Sequence, residues 1–378
     1  MIFLQILAHH KRKTYLCGKD LSMKNPFKYG TIVEDEFFTD RISELKEIHR
    51  LLDSENHLIL ISPRRFGKSS LVAKAIRELK RPSLSLNLQN VINVEDFASK
   101  LLRELFHLYP LEKIKHLMTH FRIVPTVSTN PMTNGIDVSF QPVINGMMLI
   151  EDAMALLEKV SKENKRLVVV FDEFQEIMTI RKGLDKQLRS IMQEHQHLNY
   201  ILLGSQESMM TEIFEKKKSP FYHFGKLMHL DKIPYDDFKE YISLRLPLKD
   251  ESLLGCIVDE ILSFTNLHPY YTQQLSSQVW ELMTYDGITT NVVKQSIEQI
   301  VHSHDLDFER LWQNFNRTDR FILQSLSKSI NPLQNRKIST STTFSGIKRL
   351  IKAGYVIRVK EYEIEDPFFK EWIFRSCG

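Results

Sequence analysis

Four apolar residues, Leu58-Ile59-Leu60-Ile61, run directly into Ser62-Pro63-Arg64-Arg65-Phe66-Gly67-Lys68-Ser69-Ser70, and helix-forming sequence continues to Leu79. No other stretch constrains the chain as much. A short unbroken apolar run reads as a parallel strand buried on both faces. The residues after it fit the phosphate-loop pattern G-x-x-x-x-G-K-[ST], with Ser62 in place of the first glycine. A small residue suffices there, whereas Gly67 must let the backbone approach a phosphate. Amides at the start of the following helix point at an anion, and the helix dipole favours negative charge there. The candidate phosphate-binding residues are therefore Ser62, Pro63, Arg64, Arg65, Phe66, Gly67, Lys68, Ser69 and Ser70. Lys68 would hold the β- and γ-phosphates, and the Ser69 hydroxyl would ligate magnesium.

A second apolar run, Leu167-Val168-Val169-Val170-Phe171, ends in Asp172-Glu173. An acidic pair at a strand end complements a phosphate loop. Asp172 would orient the magnesium shell, and Glu173 would act as general base or water positioner toward the γ-phosphate. The other reading of Glu173 is a partner contact or a helix cap. Together the two motifs imply ATP and Mg2+ as ligands, and the second carboxylate implies hydrolysis beyond binding.

The surrounding pattern supplies a fold for them. Ile42, Leu45, Ile48, Leu51 and Leu52 share one helical face. Strands are predicted at 83–88, 167–171, 200–203 and near 226–230, alternating with helices over 94–108, 149–160 and 183–194. That alternation predicts a parallel sheet covered on both faces. Residues 123–143 differ: Val and Ser alternate around the turn signals Asn130-Pro131 and Asn134-Gly135, which predicts an inserted β-hairpin. Beyond Pro234 the strands stop. Helices are predicted over 236–246, 253–264 and 270–283, then over 308–327 and 343–353, with a final hairpin of 355–359 and 362–365. Helices followed by a small hairpin outline a winged helix.

The chain has 378 residues, enough for about two or three domains. Its formal charge of +4 neither demands nor excludes a nucleic-acid partner. Cys17, Cys256 and Cys377 are far apart and lack metal-ligand spacing, which fits free thiols in a reducing cytoplasm. No apolar run is long enough to span a bilayer, so no membrane contact is expected. The apolar start, Met1 to Leu7, is followed by His9-His10-Lys11-Arg12-Lys13, and a signal peptide carries its charge before the apolar stretch. Residues 1–24 read as a leader detached from the rest, with Met23 as the expected true start.

These residues resemble the prokaryotic AAA+-type ATPases abundant in archaea and some bacteria, allied to STAND signalling ATPases and origin-recognition ATPases. Asn25-Pro26-Phe27 and the run Phe38 to Leu45 are similar to the family's F-x-x-R-x-x-E-L opening motif. Ser62 to Ser70 resembles its P-R-R-x-G-K-[ST] loop, and Asp172-Glu173-Phe174-Gln175 its acidic strand end. Gly204-Ser205 resembles its sensor position, Asn266 to Tyr271 its G-x-P lid motif, and Asp366 to Trp372 its D-P-F-F-x-x-W ending. The resemblance implies that Asp40 and Arg41 lie beside the base and ribose, unless Arg41 simply begins a helix. It implies that Ser205 or Gln206 senses the γ-phosphate, unless either caps the next helix. It implies that His268 and Pro269 bring a lid against the nucleotide, unless His268 is structural. Asp366-Pro367 reads as a corner that completes the fold. No arginine finger is assigned: Gly225 is followed by Lys226, which lacks the planar fork of arginine, and Arg181 is the alternative.

The expected architecture is α/β, a P-loop NTPase (AAA+-like) parallel sheet with helices on both faces, followed by an all-helical lid and a winged-helix domain. The expected boundaries are a core over 25–234, a lid over 235–303 and a winged helix over 304–378. The preferred output is a nucleotide-driven switch acting on a protein partner or a homo-oligomer. The alternative is DNA binding, as in origin-recognition relatives, through Lys348, Arg349 and Lys352, with Arg358 and Lys360 near the wing.

Overall fold

A computed structural model of the protein describes residues 24–33, 35–120, 126–129, 136–139, 146–205, 207–334, 338–359 and 361–377. Residues 1–23 of the expected leader over 1–24, and the hairpin turn at Asn130-Pro131 and Asn134-Gly135, lie outside the described residues.

The first half is a five-stranded parallel sheet in the order β2-β5-β6-β1-β7. Its strands are β1 (Leu58–Ile61), β2 (Ser83–Asn87), β5 (Leu167–Asp172), β6 (Leu198–Gly204) and β7 (Lys226–His229). Every residue of β1 and β6 is buried, which explains their unbroken apolar runs. Edge strand β7 is more open, with Lys226 and His229 exposed and only Met228 buried. One apolar core lies between the sheet and helices α3 (Val94–Leu108), α4 (Gly146–Glu163) and α5 (Leu184–Met192). On the other face, α1 (Ile42–Asp53) and α2 (Lys68–Leu79) bury Leu45, Ile48, Leu52, Leu71 and Ala75 against β1 and β6. The expected insertion is present as a separate antiparallel pair, β3 (Thr126–Thr129) and β4 (Ile136–Ser139). Its Val138 packs into the first core.

Helix α6 (Glu207–Phe214) lies between β6 and β7 and packs into the first core; the second half, beyond β7, is helical, with α7 (Tyr235–Ser243), α8 (Glu251–Thr265), α9 (Pro269–Tyr285) and α10 (Val292–Ser303). The periodicity above does not single out α10. The helix read over 308–327 is two helices, α11 (Asp305–Asn314) and α12 (Arg317–Ser327). The break is chemical: Asn316 is extended and its side chain accepts from the Asp319 N–H at 2.9 Å, an N-cap that restarts the helix. Helix α13 (Thr340–Ala353) starts on a Ser339 cap and ends at Gly354, with φ of 82°. The hairpin of β8 (Val356–Arg358) and β9 (Tyr362–Ile364) and the last helix α14 (Pro367–Cys377) complete the chain. A single apolar core joins α7 through α14 and takes in Phe27 from the segment 24–33.

At the far end of the sheet from the phosphate loop, His57 is wedged between Phe224, stacked at 4.6 Å, and Tyr200. The Tyr200 N–H donates to its Nδ1 at 3.3 Å, which requires that nitrogen unprotonated. Burial, with the nearby charges of Arg189, His195 and Arg166, pushes the His57 pKa down to about 4, and burial lowers His195 as well. The folded state therefore prefers neutral His57, while the unfolded chain binds a proton near pH 6.5. Stability from this residue is full above pH 6.5 and is lost as pH falls toward 4. The loss is about 3 kcal/mol at its limit. Chemical denaturation of wild type and His57→Gln at pH 7 and pH 4.5 checks this. The wild type is expected to lose more stability between the two pH values than the variant does.

Gly225 belongs to the same corner. A Cβ there would sit 2.7 Å from the His57 carbonyl oxygen, which is backbone and cannot yield.

Candidate functional site

The sequence places the phosphate loop at the carboxyl end of β1 and the acidic pair at the carboxyl end of β5, with β6 between them. Parallel pairing brings the two ends together: the Ser69 hydroxyl donates to Asp172 Oδ2 at 3.1 Å. Gly67, with φ of 87°, caps α2 in a left-handed conformation, and Arg65 is also left-handed at 63°. Lys68 is buried, and its ammonium donates to the carbonyls of Ser62 at 3.0 Å and Pro63 at 2.9 Å. Burial pushes its pKa down to about 8, against the opposing pull of Glu173 and Asp172. It is charged at neutral pH and loses that charge above pH 8, so affinity for an anion is expected to fall as pH rises from 7 to 9. Titrations at the two pH values check this.

Asp172 has its pKa raised by burial and by Glu173, so the site favours a cation beside it. Its carboxylate and the Ser69 hydroxyl are hard oxygen donors in contact, and they fit magnesium, which takes one or two protein ligands and completes its shell with phosphate and water. No group of three or more His, Cys, Asp or Glu side chains that could hold a metal ion occurs among the described residues. Glu173 has φ of 51° and is fixed twice: its Oε2 accepts from Gln175 Nε2 at 2.5 Å and from Ser205 Oγ at 2.6 Å.

These groups open onto a cavity of about 680 Å³, within the size range of nucleotide-sized sites. Arg64, Arg65, Phe66, Gly67, Lys68, Ser69, Ser70, Asp172 and Glu173 line it, with Arg41 and Pro269. The other sequence candidates sit elsewhere. Ser62 and Pro63 hold Lys68 from behind. Asp40 is left-handed beside Arg41 but is not part of the wall, whereas Thr39 is. Arg41 is buried and fixed by Glu44 at 2.9 Å and the Asp231 carbonyl at 2.5 Å. Ser205 reaches the cavity only through Glu173. Gln206 lies outside the described residues. His268 is 2% exposed and does not line the cavity: it caps α9 and packs edge-on against Phe66 at 4.8 Å. Glu365 Oε1 is 3.5 Å from its Nε2, a contact without hydrogen-bond geometry, and burial holds the ring neutral.

Lys226 pairs with Leu58 at the start of β1, at the opposite end of the sheet from the phosphate loop, and its ammonium meets Glu47 at 3.4 Å. Arg181 is exposed after the short helix Ile177–Ile180. On α13, Lys348 lies over the Phe344 ring, Lys352 is exposed and Arg349 is paired with Asp319 at 2.6 Å.

Several wall residues escaped the sequence reading. The segment 24–33 is a strap between the two halves. Asn25 binds Ser277 on α9, Tyr29 meets Tyr270 edge-on, and the Val33 N–H donates to Ser70 on α2 at 2.9 Å. Lys28, Tyr29, Gly30, Thr31, Ile32, Val33, Phe37, Phe38, Ile233, Tyr270 and Gln273 complete the wall. Arg65 links the loop to the second half: it donates to Tyr271 Oη at 2.9 Å and stacks over Tyr270 at 4.6 Å. Tyr271 in turn donates to Glu365, just after β9, at 2.7 Å. The signal in the sequence was the aromatic pair after Pro269, but a pair alone does not say what it faces.

A phosphate loop after β1, an acidic pair after β5 and the order β2-β5-β6-β1-β7 define a P-loop ATPase of the AAA+ type. The family described as "ATPase domain predominantly from Archaea" matches residues 38–274, more than half of the chain, and the protein belongs to that family. It is an ATP-binding, ATP-hydrolysing P-loop enzyme. Comparison with curated proteins yields no match. Among solved structures, the chain is similar to the Walker-type ATPase PABY2304 of Pyrococcus abyssi, with TM-score 0.62 and 17% identity over 94% of this chain and 99% of that one. It is also similar to the ORC2 protein of Aeropyrum pernix in its ADP form, with TM-score 0.53 and 14% identity over 92% and 94% of the two chains. The same ORC2 protein as ADPNP-ADP complexes gives TM-score 0.50 and 14% identity over 93% and 98%. No helix of the described residues is long and apolar enough to cross a membrane.

Proposed function

We propose that the cavity holds Mg-ATP and that its occupancy drives a conformational switch in the helical second half. One observation carries the reading. Arg65 of the phosphate loop is tied through Tyr271 to Glu365, so the loop and the C-terminal hairpin are mechanically joined. A γ-phosphate offers Arg65 a stronger, charge-assisted partner than a neutral tyrosine does. An arginine drawn to phosphate leaves Tyr271 and Glu365 to rearrange, and only a differential contact of this kind shifts a two-state equilibrium.

Each residue has a role in this reading. Loop amides and Lys68 hold the phosphates. Ser69 and Asp172 hold the magnesium, which when bound neutralises charge developing on the phosphate oxygens. Glu173, aimed by Ser205 and Gln175, accepts the proton of the attacking water. Arg41 and Pro269 close the wall, while Asp40 and His268 position their neighbours. ADPNP and ADP in the Aeropyrum pernix relative are consistent with a nucleotide in this cavity. The thiols Cys256 and Cys377 are free and suit a reducing cytoplasm. Residues 25–234, 235–303 and 304–378 act as ATPase core, lid and winged helix, in the manner of STAND ATPases, with a protein partner or a second copy as the receiver.

A second reading has an observation of its own: Lys348, Arg349, Lys352 and Arg358 are all exposed on α13 and β8. Duplex DNA is their natural ligand in an origin-recognition-like protein. The Asp319 pair on Arg349 weighs against it, because a paired guanidinium must give up its partner to meet a phosphate. Fluorescence anisotropy with a labelled duplex separates the two. The switch reading expects weak binding without sequence preference. Nanomolar binding that weakens steeply with salt and is lost in Lys348→Ala/Lys352→Ala would establish the second reading.

A further inference from the structure

Five cationic side chains line the cavity: Lys28, Arg41, Arg64, Arg65 and Lys68. Four of them are engaged. Lys28 lies over the Phe37 ring at 3.8 Å, Arg41 is fixed by Glu44 and the Asp231 carbonyl, Arg65 by Tyr271, and Lys68 by the carbonyls of Ser62 and Pro63. Arg64 is exposed and makes no hydrogen bond, ion pair or ring contact among the described residues. Its place in the chain sets what it can reach. The Pro63 carbonyl accepts from the Lys68 ammonium at 2.9 Å, so Arg64, the next residue, begins beside that ammonium. After burial and the pull of Glu173 and Asp172, the Arg64 charge is the remaining influence on Lys68. Two like charges this close repel, and an anion that meets both relieves the repulsion. Arg65 is left-handed and turns the other way, onto Tyr270 and Tyr271. Neither arginine-finger position read from the sequence serves here: Lys226 is at the opposite end of the sheet, and Arg181 is not part of the wall.

We propose that Arg64 is a catalytic residue: an arginine finger supplied by the same chain, whose guanidinium contacts the γ-phosphoryl group as it passes to water. This rests on the reading of the cavity as the Mg-ATP site. In the step, the water oxygen bonds to the γ-phosphorus and the water gives up a proton to Glu173. The bond from that phosphorus to the bridging oxygen breaks, and its electron pair leaves on the β-phosphate of ADP. Negative charge grows on the bridging oxygen and spreads over the γ-oxygens. A planar guanidinium with its donors in a fixed fork spans two such oxygens. Lys68 is a point charge that holds the phosphates in the ground state as well, so the two cations are not redundant.

The test is phosphate release by the full chain at saturating Mg-ATP, in wild type, Arg64→Ala, Arg64→Lys and Lys68→Ala, with ATP affinity measured alongside by calorimetry. Arg64→Ala is expected to lose about 10³-fold in rate, the lower end of what such an arginine contributes, while its ATP affinity falls far less. Arg64→Lys keeps the charge without the fork and is expected to fall between the two; as the milder change, it carries the comparison if the alanine variant misfolds. ADP with aluminium fluoride, a mimic of the transferring phosphoryl group, is expected to bind wild type tightly and Arg64→Ala poorly. Mixing Arg64→Ala with Lys68→Ala locates the finger: a residue acting within its own chain leaves the mixture as slow as its parts. Restored turnover in the mixture would overturn the proposal and assign the arginine to a neighbouring copy. A wild-type rate in Arg64→Ala, with Lys68→Ala inactive, would also overturn it and leave the cavity reading standing. Unaltered turnover in Lys68→Ala would overturn the cavity reading, and the proposal with it.

Discussion

Glu173→Gln is expected to release phosphate about 10²–10⁴-fold more slowly than wild type, the usual worth of a positioned general base, while ATP affinity stays within a few-fold. The argument is geometric. Glu173 stands at the end of β5 in a left-handed conformation, next to the aspartate that meets Ser69. Its carboxylate is aimed by two side-chain donors, Ser205 Oγ and Gln175 Nε2. Glutamine preserves the size and most of the contacts but cannot take a proton. It adds a donor that can face the Ser205 oxygen only if that hydroxyl turns. A coupled-enzyme phosphate assay at saturating ATP checks the prediction. Wild-type turnover in Glu173→Gln would assign the residue to a partner contact instead. Ser205→Ala is expected to lose less, because Gln175 still holds the carboxylate.

Tyr271→Phe is expected to destabilise the protein by about 1–3 kcal/mol, the cost of a buried hydrogen-bonding group left without its partner. One hydroxyl serves both neighbours, accepting from Arg65 and donating to Glu365. Glu365 has an 11% exposed side chain, so water cannot replace the lost donor in full. Asp366 beside it is half-buried, and desolvation together with the Glu365 charge pushes its pKa up to about 6. Loss of the tyrosine hydroxyl leaves this acidic corner less satisfied. Urea denaturation at pH 7 measures the change. The same variant tests the switch: ATP is expected to alter amide hydrogen exchange over residues 355–366 in wild type and much less in the variant. Equal ATP-dependent exchange in both would disconnect Arg65 from the second half.

Much of this molecule is legible in its sequence, and the reasons are local. Strands β1 and β5 are buried on both faces, so they appear as plain apolar runs, and the chemistry follows them directly in the chain. Asp172 meets Ser69 because parallel strands place their ends together, which topology alone predicts. What stayed illegible is what depends on distant packing. The sequence leaves His268 open between a lid contact and a structural role; it turns toward Phe66 and Glu365, and Pro269 takes the wall. Of the strap over 24–33 only Asn25-Pro26-Phe27 is visible as a motif, and that the segment binds α9 at one end and α2 at the other is set by partners more than thirty residues away. The helix over 308–327 was broken by a local signal, Asn316, which an apolar periodicity overran.

The central claim is that the cavity between the phosphate loop, the strap and α9 is where this ATPase holds its nucleotide. Calorimetric titration of Mg-ATP into wild type and Lys68→Ala at pH 7 tests it most directly. The account predicts one site per chain in wild type and affinity at least about tenfold weaker in the variant, since a charged hydrogen-bond donor to phosphate is lost. Equal affinity in the two proteins would place the nucleotide elsewhere and contradict the account.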